Sequence, residues 1–475
     1  MSVILIFAYL LTLVAIGIWA AGKTRDASGF FLAGRRLGLL TTALATMASI
    51  MSGFVFVGGP GLFYSIGLGS FWIVISSSFT GAMMAWLLAK PLHNLASEQG
   101  CLTVPDVILA RYGCRFSSGV SALAIVAGVI GYLATQLTAL GLILSAVLDV
   151  PAWAGLTVGV LVLVFYTTAG GMLASVYTDV VQGLVMFGAS LVIFVLALAS
   201  QGGPGEISTV ILKGSPEGLS PWGTVGPLVC LGWFFLFAVG SLGQPHVVNK
   251  FMMVRDLRSL RHFPWILAVS MVVCTLVWLG VGLSVKSAVL SGRLAALQNP
   301  DDAVASFLQA FAPAWLTALT YAAVVSAIMS TGSSFVNIGA AALTRDLPRA
   351  FGRKPKAEVL GGRLLSVALV AVSLLFAAVT RDLVAYLGIL GFGMFAASLA
   401  PVLALGLNWE AAGKWSARAA LTVGVGGAIL LEALSRLGVY TPKIGPGALA
   451  LVLGFLAFVA VGLASQSRER NPRGG

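Results

Sequence analysis

The 475-residue sequence has few charged residues, few histidines and few cysteines. Only 9% of its residues are Asp, Glu, Lys or Arg, whereas 59% are hydrophobic. A water-soluble globular protein carries about 25% charged residues, so this composition excludes a soluble enzyme of ordinary build. The four cysteines show neither CxxC spacing nor a histidine at metal-ligand spacing, so the sequence implies neither a disulfide framework nor a zinc site.

Sequence signatures of catalysis are also missing. HExxH, GxSxG and phosphate-binding Gly-Lys-Ser/Thr motifs do not occur, and without a Walker motif an ATP-driven pump acting alone is disfavoured. The longest polar connections, 201–223 and 345–362, are too short to bury a core. We therefore predict a protein that is not an enzyme and that has no soluble domain.

Long apolar segments make up most of the chain. A membrane-spanning helix needs about 20 apolar residues, and thirteen segments qualify: 2–22, 37–64, 67–89, 118–148, 151–169, 174–200, 224–248, 263–290, 304–343, 363–380, 382–408, 415–436 and 444–465. Segments 37–64 and 304–343 are too long for one straight span, so a break, a tilt or an interfacial extension must absorb the excess. The sequence predicts an all-α polytopic membrane protein with thirteen transmembrane helices.

The distribution of lysines and arginines among the loops explains the net charge of +12. If the loop after the first segment is cytoplasmic, 22 of the 28 lysines and arginines fall on the cytoplasmic side. Cytoplasmic loops of membrane proteins carry such an excess, so no nucleic-acid partner is needed. We predict a multi-pass protein of the cell (inner) membrane, in contact with the lipid bilayer, with its N-terminus outside and its C-terminus in the cytoplasm.

Asp179 is the one ionisable residue that we place at membrane depth, near the cytoplasmic end of segment 174–200. Two interpretations are compatible: a carboxylate that stabilises a helix N-terminus, and a member of a cation pathway. The three histidines, His93, His246 and His262, are predicted at or beyond cytoplasmic helix ends, which disfavours haem ligation.

Two segments contain glycine, proline and serine where a regular helix is not expected. The second segment has Met51-Ser52-Gly53 and Gly58-Gly59-Pro60-Gly61, and the seventh has Gly240-Ser241-Leu242-Gly243-Gln244-Pro245. Glycine frees the backbone and proline removes a hydrogen-bond donor, so we predict that both helices are broken. Paired breaks five segments apart indicate a transporter site between inverted repeats, although close helix packing through small residues is an alternative.

The ninth segment carries adjacent hydroxyl groups at Ser330 and Thr331. Hydroxyls and freed backbone carbonyls are the oxygen ligands that a hard cation such as Na⁺ takes. In a membrane helix, however, such hydroxyls often bond the carbonyl of their own helix four residues back. The pair is consistent with both roles.

Five short motifs then occur along the chain in a particular order. They are Phe30-Phe31-Leu32-Ala33-Gly34-Arg35, Met51-Ser52-Gly53, Gly170-Gly171 through Thr178-Asp179 and Gln182, Gly243-Gln244-Pro245-His246, and Ala327-Ile328-Met329-Ser330-Thr331. Together they resemble the sodium:solute symporter family. The resemblance implies a LeuT-like fold of five-plus-five inverted repeats, 37–200 and 224–408, with an extra helix at 2–22, two helices at 415–465 and a cytoplasmic tail at 466–475. It also implies that a monomer suffices for transport, with oligomers possible.

The resemblance also implies a sodium site. Its ligands here would be the backbone carbonyls of Ala48, Met51 and Ala327 and the hydroxyls of Ser330 and Thr331. Asp179 matches an acidic residue that the family associates with sodium exit and, in some members, with a second sodium site. Because Ala327 stands where a serine would complete that second site, we expect one Na⁺ per solute.

Differences from particular branches of the family narrow the range of possible solutes. Val55, Ile73 and Val74 replace polar residues expected of sugar transporters, and an unpaired sugar hydroxyl costs about 1–3 kcal/mol, so sugars are disfavoured. Sialic-acid members use an arginine on the fourth segment, where this chain has Gln136 between two threonines. The motifs look most like those of the proline and pantothenate permease branches. The expected solute is therefore small, mostly apolar and carboxylate-bearing: an amino acid such as proline, pantothenate or a monocarboxylate.

The predicted solute site combines a helix end with apolar walls. Free amides of a half-helix beginning near Ser52, Gly53, Phe54 and Val55 are expected to bind the carboxylate, and the remaining predicted contacts are Gln136, Trp233, Phe237, Gln244 and Tyr386. Three other functions stay open: a proton-coupled transporter with Asp179 as carrier, a transporter-like membrane sensor, and an intramembrane enzyme. The short tail after residue 466 disfavours the sensor, and no nucleophile–base pair supports the enzyme.

Overall fold

The computed structural model describes residues 2–22, 32, 37–255, 257–354, 358–380, 382–440 and 442–470. These residues form nineteen α-helices: α1 (Ser2–Ala21), α2 (Leu39–Ile50), α3 (Gly59–Ile66), α4 (Phe71–Met84), α5 (Lys90–Glu98), α6 (Val104–Tyr112), α7 (Arg115–Leu148), α8 (Ala152–Ser200), α9 (Pro204–Gly214), α10 (Pro227–Gly240), α11 (Pro245–Met252), α12 (Phe263–Leu290), α13 (Ala303–Phe311), α14 (Ala314–Ala341), α15 (Leu347–Ala350), α16 (Glu358–Thr380), α17 (Val384–Ala400), α18 (Lys414–Arg436) and α19 (Pro446–Arg470). The all-α prediction is confirmed. The motif at Phe30–Arg35 lies, apart from Leu32, outside the described residues.

Ten helical stretches of the described chain are long and apolar enough to cross a membrane. They are Phe54–Glu98, Arg115–Leu148, Gly171–Ser200, Pro227–Met252, Leu260–Leu290, Ala314–Ala350, Glu358–Thr380, Val384–Leu405, Lys414–Arg436 and Pro446–Gln466. Shorter apolar helices cover Phe7–Ala20, Leu39–Ile50 and Trp153–Phe165. The chain is therefore a multi-pass membrane protein, whereas the count of thirteen spans and the sides of the termini stay predictions.

Both predicted helix breaks are present. After α2 ends at Ile50, Met51 adopts an extended conformation, and the chain resumes helical winding in a π-helical turn, Phe54–Gly58, that leads into α3. After α10, a 3₁₀ turn, Ser241–Gly243, is followed by extended Gln244 (φ −77°, ψ 105°) and then by α11. Pro245 begins α11, where its missing N–H is not needed.

The long apolar segments are divided at glycine and proline. Segment 304–343 consists of α13 and α14, which are separated by Ala312 and Pro313. Segments 151–169 and 174–200 are the two halves of α8, which kinks at Gly171. Gly171 has φ 58° and ψ −148°, a conformation that residues with a Cβ avoid.

Four helices that pack against one another hold the site. α14 packs against α7 and α8, and α2 packs against α8 and α14. α18, by contrast, is largely exposed on the outside of the bundle. At the start of α17, the carboxylate of Asp301 accepts a hydrogen bond from the Val384 N–H at 2.8 Å, and so ties the segment before α13 to α17.

Candidate functional site

A cavity of about 60 Å³ lies between the two helix breaks. Its walls come from the α2–α3 break, α4, α7, the α10–α11 break, α12 and α17. None of the described residues that line the cavity is charged, so a charged solute would need its counter-charge from elsewhere.

Four of the predicted solute residues line this cavity: Phe54, Val55, Phe237 and Gln244. Trp233 and Tyr386 do not, and instead they line a separate groove together with Asp382 and Arg436. Trp233 lies one turn closer to the start of α10 than Phe237. Tyr386 lies on a different face of α17 from Phe392, which lines the cavity, and 43% of the surface of Tyr386 is exposed.

Four aromatic rings in successive contact form one wall of the cavity. Phe237 stacks on Phe392 with ring centroids 4.2 Å apart and on Phe54 at 5.5 Å, and Phe54 meets Trp278 edge-on at 5.5 Å. Gly59 at the start of α3 lies against the Trp278 ring with no room for a Cβ atom. Trp278 thus lines the cavity and packs against the start of α3.

Two polar side chains at the α10–α11 break have buried atoms without a hydrogen-bond partner in the described structure. The Gln244 amide Nε2 donates to the carbonyls of Phe392 (3.2 Å) and Gly240 (3.4 Å), and its Oε1 is buried without a hydrogen-bond partner in the described structure. Nδ1 of His246 is likewise buried and unpartnered there. His246 is the second residue of α11, at a helix end as predicted, and it also lines the cavity.

The amides at the α2–α3 break are already hydrogen-bonded. The Gly53 N–H donates to Gln136 Oε1 at 2.9 Å, and the N–H groups of Val55 and Phe56 both donate to the Ser52 carbonyl. The prediction that Gly53 and Val55 offer free amides to an anion was wrong, because Gln136 and a local turn satisfy them. Gln136 therefore braces the break, and it is not among the residues that line the cavity.

Backbone carbonyls at the end of α2 meet a hydroxyl of α14. The last turn of an α-helix leaves carbonyls without intrahelical donors, and the Met51 N–H to the Met47 carbonyl is the final bond of α2. The Thr331 hydroxyl lies 3.1 Å from both the Ser49 and the Met51 carbonyl oxygens. Thr331 therefore contacts the break rather than its own helix.

The other predicted sodium ligands are fully buried in or beside this interface. Ala48 lies on α2, and Ala327 lies one helical turn before Ser330 and Thr331 on α14. The Ser330 hydroxyl donates to Asp179 Oδ1 at 2.8 Å. The two hydroxyls of α14 thus have different contacts: Thr331 reaches the break and Ser330 reaches α8.

Asp179 forms a fully buried ion pair. Its Oδ2 accepts hydrogen bonds from Lys250 Nζ at 2.7 Å and from the Ser49 hydroxyl at 3.3 Å. Asp179 lies two turns beyond the Gly171 kink, too deep in α8 to act as an N-terminal cap, because the dipole effect fades within the first turn. The prediction that Asp179 is alone at membrane depth was wrong, since Lys250, two residues beyond the predicted segment 224–248, lies buried in α11.

The comparisons with known proteins agree with this geometry. The sequence profile described as the sodium:solute symporter family matches residues 30–427. The chain belongs to this family. This chain is 28% identical to the high-affinity proline transporter PutP of Bacillus subtilis, over 94% of this chain and 95% of that protein. It is 26% identical to the sodium/pantothenate symporter of Escherichia coli K12, over 95% of this chain and 94% of that protein.

Solved structures share the fold of this symporter-family protein. A Na⁺-coupled sialic acid symporter in a substrate-bound outward-open state has a TM-score of 0.81 at 18% identity, covering 98% of this chain and 97% of that one. Mhp1, a nucleobase-cation-symport-1 family transporter, has a TM-score of 0.58 at 14% identity, covering 94% and 95%. These two structures show a shared fold, whereas the match of the family profile confirms the resemblance to the family.

Sequence reasoning missed several residues of this family member's site: Tyr132, Ser49, Trp278 and Lys250. Tyr132 lines the cavity, and its hydroxyl lies 3.4 Å from that of Ser52. Lys250 did carry a signal, because it stands among apolar neighbours, Val247–Val248 before it and Phe251–Met252 after it. A lysine in such surroundings is more typical of a helix than of a polar loop.

Proposed function

We propose that this protein is a Na⁺-coupled secondary transporter that imports a small carboxylate-bearing solute by alternating access. The observation that carries the proposal is the contact between the Thr331 hydroxyl and the Met51 carbonyl, because Met51 also lines the cavity. Oxygen atoms suited to a cation and a wall of the solute cavity therefore belong to the same helix break.

The proposed sodium ligands are the carbonyls of Ala48, Met51 and Ala327 and the hydroxyls of Ser330 and Thr331. Hard cations take oxygen ligands, and all five atoms are oxygens. The end of α2 supports the assignment, because its last carbonyls lack intrahelical donors while Thr331 lies beside two of them. We propose one Na⁺ per solute.

The solute is proposed to be an amino acid such as proline, pantothenate or a monocarboxylate. A carboxylate in a cavity without charged lining residues needs a counter-charge, and Na⁺ held beside Met51 would supply it. The unpartnered Oε1 of Gln244 suits an N–H or O–H donor on the solute. The names of the relatives, a proline transporter and a sodium/pantothenate symporter, agree with this class.

The proposed architecture is thirteen transmembrane helices with the N-terminus outside, the C-terminus in the cytoplasm, and inverted repeats at 37–200 and 224–408. The breaks at 51–53 and 241–244 support it, since each interrupts the first spanning segment of its proposed repeat. Ligand binding would then shift the population between outward-facing and inward-facing states. A monomer is proposed to suffice.

Uptake into proteoliposomes tests the proposal. Radiolabelled proline, pantothenate and a monocarboxylate are offered under an inward Na⁺ gradient and, separately, under an inward proton gradient in choline. We expect one of these solutes to accumulate only with the Na⁺ gradient. Accumulation driven by protons in choline would favour proton coupling, whereas binding without accumulation would favour a sensor.

A further inference from the structure

Asp179 and Lys250 hold opposite charges at the edge of the proposed sodium site. Both side chains are fully buried, and their Nζ–Oδ2 distance is 2.7 Å. The second carboxylate oxygen accepts the hydroxyl of Ser330, a proposed sodium ligand, at 2.8 Å. The carboxylate therefore connects the lysine to the sodium site through a single side chain.

The charges of this region can be counted. Among the described residues, no other charged side chain is hydrogen-bonded to Asp179, and none lines the cavity. With Lys250 paired to Asp179, the region is neutral before any ligand binds. Bound Na⁺ alone would leave one uncompensated positive charge in a buried site, and a carboxylate on the solute would neutralise it.

We propose that Lys250 couples sodium binding to solute binding by neutralising Asp179. Because the Lys250 ammonium group already neutralises the Asp179 carboxylate, Na⁺ binds weakly until the carboxylate of the solute binds as well. This inference rests on the proposed function. It makes Lys250 a positioning residue, which acts on Na⁺ binding through the charge of Asp179. Without Lys250, Asp179 itself would balance Na⁺, and the solute would add little.

The test measures ²²Na⁺ binding to the purified protein with and without the solute that the wild type accumulates. In wild type, the solute is expected to tighten Na⁺ binding, and that ratio is the coupling factor. Lys250→Met should tighten Na⁺ binding without solute by roughly 50-fold, the order expected when a like charge about 7 Å away is removed at an effective dielectric of about 20. Its coupling factor should fall towards one.

Three further variants keep the test decisive if Lys250→Met does not fold. Lys250→Arg retains the charge and should behave as wild type. The double variant Asp179→Asn with Lys250→Met removes both charges and should restore weak Na⁺ binding and a coupling factor well above one. Lys286→Met is the matched control, because Lys286 is also a buried helical lysine but donates to the Tyr64 carbonyl, away from the site.

The outcomes separate this inference from the proposed function. A coupling factor in Lys250→Met equal to that of wild type would overturn the inference while leaving Na⁺ coupling intact. A double variant with the same coupling factor as the single Lys250→Met variant would overturn it too. Wild-type protein that neither binds ²²Na⁺ nor needs Na⁺ for uptake would overturn both the inference and the proposed function.

Discussion

Replacement of Thr331 by valine removes one hydroxyl from the proposed sodium site. In the structure that hydroxyl lies 3.1 Å from the carbonyl oxygens of Ser49 and Met51. Without Na⁺, the variant loses a neutral hydrogen bond worth about 1 kcal/mol, whereas with Na⁺ it loses an interaction with a charged group, worth about 1.5–3 kcal/mol. The difference, about 0.5–2 kcal/mol, predicts an increase of about 2- to 30-fold in the Na⁺ concentration for half-maximal uptake.

The assay is the initial rate of solute uptake into proteoliposomes as a function of external Na⁺. Thr320→Val is the matched control, because the Thr320 hydroxyl is equally buried in α14 but donates to the Leu316 carbonyl of its own helix. We expect its sodium dependence to match that of wild type. An unchanged sodium dependence in Thr331→Val, or an equal shift in both variants, would refute the assignment of Thr331.

Three more predictions concern single side chains. Gln136→Leu leaves the Gly53 N–H without its acceptor, which should destabilise the protein by about 1–3 kcal/mol and lower its Tm; an unchanged Tm would show that Gln136 does not brace the break. Gln244→Met should raise the solute KM with little change in the half-saturating Na⁺ concentration, and an unchanged KM would exclude Gln244 from the solute site. Burial raises the pKa of Asp301 from 3.8 to about 6, so the native state binds the proton more tightly than the unfolded state and stability falls as the pH rises through that interval. Asp301→Asn should remove the contribution of Asp301 to the pH dependence of Tm between pH 4 and 7. Identical profiles of Tm against pH for the variant and the wild type would contradict this prediction.

The helix breaks could be predicted from the sequence, and the resemblance to the symporter family implied that Thr331 and Met51 belong to one site. Glycine, serine and proline interrupt apolar runs at both breaks, and their effect on a helix is local, so composition is sufficient to find it. The hydroxyl pair was identified by motif, and the structure shows what it contacts. Thr331 reaches the freed carbonyls of α2, whereas Ser330 reaches Asp179.

Features that depend on how helices rotate against one another could not be predicted. The burial of Lys250 follows from the way α11 turns toward α8, which brings together residues 71 positions apart. Tyr386 and Phe392 are both aromatic residues of α17, and only the packing decides that Phe392 faces the cavity. The Gly53 amide was expected to be free because its acceptor, Gln136, lies 83 positions away on α7.

Reciprocal binding of sodium and solute tests the central claim most directly. The affinity of the purified protein for the transported solute is measured in Na⁺ and in choline, and its affinity for Na⁺ is measured with and without the solute. If both bind around Met51, each should tighten the other by the same factor, as linkage requires. Solute binding of equal affinity in Na⁺ and in choline would contradict the account.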